Sequence, residues 1–155
     1  MARKDFNVVI MHGKQNEYRK IETLLKGMEF RPIVIKDNFD GNFLLKKVRR
    51  TVWDKAHCAV IVMTPDDQTG QKMFRARQNV IFELGYCLAA FDTLPKKYAF
   101  NAVIIVKESS VEDFSDIHGI ETFSFDKELK KGDIKRLRDI FEMTFEKASK
   151  FYEEL

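Results

Sequence analysis

Residues 57–91 read HCAVIVMTPDDQTGQKMFRARQNVIFELGYCLAAF, and this stretch decides the fold. It opens at 57–63 with an apolar run that lacks polar alternation, the pattern of a strand buried on both faces. A polar loop, 64–72, follows. Then Val80, Leu84, Cys87, Leu88 and Phe91 recur at helical spacing. A strand covered on both faces needs helices to cover it, so strand, loop and amphipathic helix make one βα unit. The helix carries a single acid, Glu83. At about 100° per residue, Glu83 falls on the border of the apolar stripe, in line with Asn79 and Tyr86. The expectation is a partly desolvated carboxylate, whose electrostatics are strengthened by its surroundings. The bland counterpart is a boundary Glu paired with Arg75 or Arg77.

The same unit repeats outward in both directions. Strand-like runs occur at 6–11 (FNVVIM), 31–36 (RPIVIK), 101–106 (NAVIIV) and 121–125 (ETFSF). Between them, 14–28 places Tyr18, Ile21, Leu24, Leu25 and Met28 at helical spacing, and 42–55 does so with Leu44, Leu45, Val48 and Val52. Residues 109–118 read as an irregular or short helical link. A long closing helix, 134–155, lines up Ile134, Leu137, Phe141, Phe145, Ala148 and Tyr152. Parallel strands need crossover connections, so this alternation predicts an α/β fold: a five-stranded parallel sheet with helices on both faces. With 155 residues, 45% hydrophobic content and 14 Phe, one domain spanning 1–155 can build its core. The closing helix either completes that domain or starts a connection to a further segment.

Charge is nearly balanced: 27 Lys and Arg against 24 Asp and Glu give a net +3. That suits a phosphate-bearing small ligand and does not call for nucleic acid. Arg49-Arg50 and Lys130-Lys131 read as solvated surface. Cys58 and Cys87 lie in apolar settings, which points to the reducing cytoplasm. No Cys/His spacing suggests a metal site, no signal peptide is expected, and the apolar runs are too short to span a membrane.

In an open parallel sheet, ligands bind beyond the carboxyl ends of the strands. Those ends read His12-Gly13, then Asp37-Asn38-Phe39-Asp40-Gly41-Asn42, then Thr64-Pro65-Asp66-Asp67. Bland readings stand beside the functional ones. Gly13 and Gly41 permit tight turns. Asp66 and Asp67 shape a turn after Pro65. His12 reads as a satisfied loop histidine, and Trp53 as a packing residue. Strand one ends without acids, which argues against a phosphate-receiving regulator. Its loop lacks GxGxxG, and no Walker motif or Ser/His/Asp order is present.

Three segments resemble a known family: Val9-Ile10-Met11-His12-Gly13, Thr64-Pro65-Asp66-Asp67, and the run RARQNVIFELGY at 75–86. Their order and spacing over about 6–125 are similar to bacterial TIR-like domains, the "predicted nucleotide-binding" effectors of cyclic-nucleotide-triggered antiphage defence. The loop at 36–42 keeps the family's length and glycine but lacks its proline. The resemblance implies a flavodoxin-like TIR fold, NAD⁺ glycohydrolase activity and a catalytic role for Glu83. NAD⁺ would be the substrate, with no separate cofactor or metal. His12, Gly13, Asp37, Phe39, Asp40, Gly41, Asp66, Asp67, Arg75, Arg77 and Asn79 would line the substrate site. It further implies homo-oligomers through TIR–TIR packing and a cyclic-nucleotide sensor, such as a STING-type domain, as partner. Nucleic acid and membrane are not expected partners. The alternatives are a TIR interaction module without chemistry and a nucleotide-binding sensor.

Overall fold

A computed structural model describes residues 1–35, 43–70, 73–92, 102–113 and 119–154. In chain order the elements are β1 (Asn7–His12), α1 (Tyr18–Gly27), β2 (Arg31–Val34), α2 (Phe43–Lys55), β3 (Cys58–Met63), β4 (Asp67–Gln68), β5 (Phe74–Arg75), α3 (Gln78–Phe91), β6 (Val103–Glu108), β7 (Glu121–Phe125) and α4 (Lys131–Glu153). Five strands form an all-parallel sheet in the order β2-β1-β3-β6-β7, and β4 and β5 form a separate antiparallel pair. The order is that of flavodoxin-like domains, and the chain changes direction across the sheet between β1 and β3.

The pleat explains why β3 has no polar position. Cys58, Val60 and Val62 join the core with Ile21 and Leu25 of α1 and Leu137 and Phe141 of α4. Ala59, Ile61 and Met63 point the other way, toward Val48 and Val52 of α2 and Val80, Leu84 and Cys87 of α3. Successive side chains alternate between two covered faces, so every residue of β3 is buried. β2 is an edge strand and only half-buried. Arg31 N donates to Phe6 O and Ile35 N to Ile10 O, each at 2.9 Å. Pro32, between them, therefore turns its nitrogen away from β1.

Several expectations needed correcting. The loop expected at 64–72 contains β4, which pairs with β5 so that Asp67 faces Arg75. This hairpin is too short for a periodicity signal. The helix expected from residue 14 begins at Tyr18, because the loop after β1 takes up the intervening residues. The strand expected to stop at 106 continues through Lys107 and Glu108, both buried. Buried charges are tolerated when paired. Lys107 Nζ donates to Val111 O at 2.9 Å and meets Asp113 Oδ1 at 2.6 Å. Trp53, expected to pack, is 51% exposed. The inward placement of Leu44 and Leu45 and residues 114–118 of the 109–118 link lie outside the described residues.

Glu108 carries a pH dependence. Burial alone would raise its pKa. Hydrogen bonds donated by the Ser110 hydroxyl, Lys127 N, Ser110 N and the Ser109 hydroxyl outweigh that, and the net shift is downward. A carboxylate with a depressed folded pKa adds stability above its unfolded value of 4.5, and that stability is lost as pH falls through the folded value. Glu108→Gln should therefore cost about 2 kcal/mol at neutral pH and flatten the acid limb of the stability curve. Equal acid limbs for both proteins in denaturant titrations would contradict this.

α1 ends in a Schellman arrangement: Phe30 N bonds Leu25 O and Glu29 N bonds Lys26 O, each at 3.0 Å. Glu29 occupies the left-handed position, φ 64°. A side chain costs energy there and glycine does not. Glu29→Gly should raise stability by about 1 kcal/mol, and a lowered melting temperature would refute it.

Candidate functional site

The switch point lies between the carboxyl ends of β1 and β3, where Met11 pairs with Ile61 and His12 with Val62. α3 starts at this edge and runs back over the sheet, burying Val80, Glu83, Leu84, Cys87 and Ala90. Cys87 Sγ lies 3.9 Å from Met11 Sδ, near the end of β1. Glu83 is one turn earlier on α3, roughly 5–6 Å closer to the edge, and so stands level with the strand ends. Electrostatics agree: burial and then the Glu83 charge push the Cys87 thiol up to about 12. Glu83 is only 4% exposed. The border position expected from periodicity is thus corrected to a buried one. The helical wheel reckons with one packed face and not with the neighbours flanking α3.

Gly13 and Asp66 tie the two strand ends together. Thr64 Oγ1 donates to Asp66 Oδ1 at 2.9 Å, and Lys14 N donates to Asp66 Oδ2 at 3.1 Å. A Cβ at Gly13 would run into that same carboxylate. A side chain at position 13 would have to displace this carboxylate from the β3 loop, which occupies the space. Asp66 thus fastens the β1 loop to the β3 loop, a tertiary role beyond the local turn read from sequence. Asp67 faces solvent more fully and pairs with Lys14 at 3.3 Å, an exposed contact of little energetic weight.

His12 stacks on Tyr18 with ring centroids 3.7 Å apart and planes 12° off parallel. Its Nδ1 lies 2.7 Å from Gly13 O, so this nitrogen carries the proton. Nε2 is buried and has no hydrogen-bond partner among the described residues. The ring is therefore only half satisfied, which departs from the bland reading.

The arginines separate. Arg75 is exposed and bonds Glu112 through Nε at 2.6 Å. Its hairpin is tied to the loop after β6 by the Phe74–Val111 bridge and by Glu112 N donating to Phe74 O at 2.8 Å. The structure thus turns Arg75 toward β6, not toward the ends of β1 and β3. Arg77 is the N-cap residue of α3 and half-buried, whereas Asn79 is exposed. Asp37, Phe39, Asp40 and Gly41 lie outside the described residues. Lys107, at the end of β6 opposite Met63, was missed from sequence because an apolar-run criterion ends before it.

An all-parallel sheet in this order, with a buried acid at its switch point, fits a TIR-type domain. Residues 7–127 match the family model for the CAP12/Pycsar effector protein, TIR domain, and the chain belongs to that family of effectors. It is also similar to the uncharacterized protein YuaY of Escherichia coli (strain K12), 27% identical over 127 residues. The match covers 77% of this chain and 39% of that relative, so the chain spans about two fifths of the relative's length. Among the described residues, no helix is long and apolar enough to cross a membrane.

Proposed function

We propose that this domain is the NAD⁺-cleaving effector part of a defence system switched on by a cyclic nucleotide through a sensor. The observation that carries this reading is Glu83, a carboxylate held 4% exposed at the switch point of a TIR-family domain. In NAD⁺ the nicotinamide–ribose bond joins a cationic ring to the anomeric carbon. Its two electrons leave with nicotinamide, which departs neutral and needs no proton donor. The ribose is left oxocarbenium-like. A desolvated carboxylate beside it stabilises that charge and accepts hydrogen bonds from the ribose hydroxyls. Water then adds to the anomeric carbon and gives up its proton, yielding ADP-ribose; attack from within the molecule gives a cyclic form instead. His12, Gly13 and the loop after β2 line the pocket in this reading. The amino end of α3, where Arg77 is the N-cap residue, suits the pyrophosphate in this reading.

The test is incubation of the pure protein at high concentration with NAD⁺ and detection of released nicotinamide. Binding without release favours a nucleotide sensor. Neither binding nor release favours an interaction module. Assembly is part of the proposal: neighbouring copies order the pocket and raise activity. Specific activity should climb with protein concentration, and a flat profile from nanomolar to high micromolar protein would rule the assembly step out.

A further inference from the structure

On the outer side of α3, opposite the buried residues, the chain leaves an unusual surface. Phe82 is 57% exposed and Trp53 of α2 is 51% exposed. Further along α3, Gly85 and Ala89 are both exposed, and a Cβ built on Gly85 would meet nothing within 4 Å. A groove of about 610 Å³ lies alongside, walled by Trp53, Tyr86, Ala89, the two arginines Arg49 and Arg50, and Asp54. A large knob, a flat strip of small residues and a groove thus follow one another along two neighbouring helices.

The charges on α3 say what covers this face. The helix has no acid in its first turn and no base in its last, and its C-cap is Asp92. With Arg77 as its N-cap, the helix carries a base at its positive end and an acid at its negative end, the reverse of what the helix dipole favours. A second α3 laid antiparallel corrects both ends, bringing each Asp92 to the positive amino end of the other helix. The same arrangement is self-complementary in shape. Phe82 and Ala89 are seven residues apart, about 10 Å along the axis. With a two-fold axis between Gly85 and Tyr86, Phe82 of each copy faces Ala89 of the other and enters its groove.

From this we infer that α3 pairs with α3 of a second copy, antiparallel about Gly85. The inference supplies the contact face that the assembly reading above leaves open, and rests on that reading only for its effect on activity. One helix pair with flanking arginines and tryptophans makes a small interface, at or below about 1,200 Å², where weak, reversible association is the rule. Because Glu83 is carried by the same helix, pairing also fixes the element that holds the acid.

Sedimentation velocity from low to high micromolar protein should show a monomer–dimer equilibrium. Phe82→Glu should raise the dissociation constant at least tenfold while the melting temperature stays within a few degrees. The pairing geometry is read by oxidation. Cys58 and Cys87 are buried and do not interfere. Gly85→Cys, beside the axis, should crosslink with its own mate. Phe82→Cys should not, because its mate lies about 10 Å away, beyond disulfide reach. Phe82→Cys combined with Ala89→Cys should. A monomer throughout, an unchanged equilibrium in Phe82→Glu, or equal crosslinking of the two single variants would overturn the inference. None of these measurements uses NAD⁺, so a dimer that leaves NAD⁺ intact would refute only the enzymatic proposal.

Discussion

Glu83→Gln should lower the rate of NAD⁺ cleavage by about two to three orders of magnitude and leave the fold intact. Glutamine matches glutamate in volume, so the packing of α3 against Val80, Leu84 and Cys87 survives. What disappears is the negative charge facing the developing oxocarbenium ion. Removing a single pre-oriented electrostatic group at such a site costs about 3–4 kcal/mol of transition-state stabilisation, because the surroundings do not screen it. The loss should fall on kcat with KM little changed, since the charge on the ribose exists only in the transition state. Nicotinamide release under saturating NAD⁺ measures it. Turnover within threefold of the parent would remove Glu83 from the mechanism.

Gly13→Ala should destabilise the domain by about 2–3 kcal/mol and disturb both loops at the switch point. The new Cβ takes the space of the Asp66 carboxylate, which then surrenders its bonds from Thr64 and Lys14 N. The logic predicts coupling as well as loss. Asp66→Ala alone should cost about 2 kcal/mol, and the double variant no more than Asp66→Ala alone, since the clash is gone. Chemical denaturation of the four proteins completes the cycle. Simple additivity would show that Gly13 is required for some reason other than Asp66.

The sheet was legible because β1, β3 and β6 are covered on both faces and so carry unbroken apolar runs. β7, at the far edge, was found at its observed bounds, 121–125. The hairpin of β4 and β5 was not legible, as two-residue strands leave no period to detect. The place of Glu83 on α3 was legible and its burial was not, since burial depends on flanking elements that a single helical wheel omits. The pairing of Gly13 with Asp66 is a contact between residues 53 apart in the chain, which no local pattern encodes. The two arginines look equivalent in sequence. The bridge from Phe74 to Val111 separates them, by carrying Arg75 off toward Glu112, while Arg77 stays at the half-buried start of α3.

Pro32 has a consequence for how such a domain behaves when crowded. Strand addition onto β2 would need backbone donors along its outer side, and the nitrogen that Pro32 turns outward carries no hydrogen. On the opposite border of the sheet, β7 presents exposed polar residues, Thr122 and Ser124. Neither border is a good template for fibre growth. Copies brought to high local density are thereby steered away from amyloid-like stacking, which leaves the helical faces as the surfaces open to self-contact.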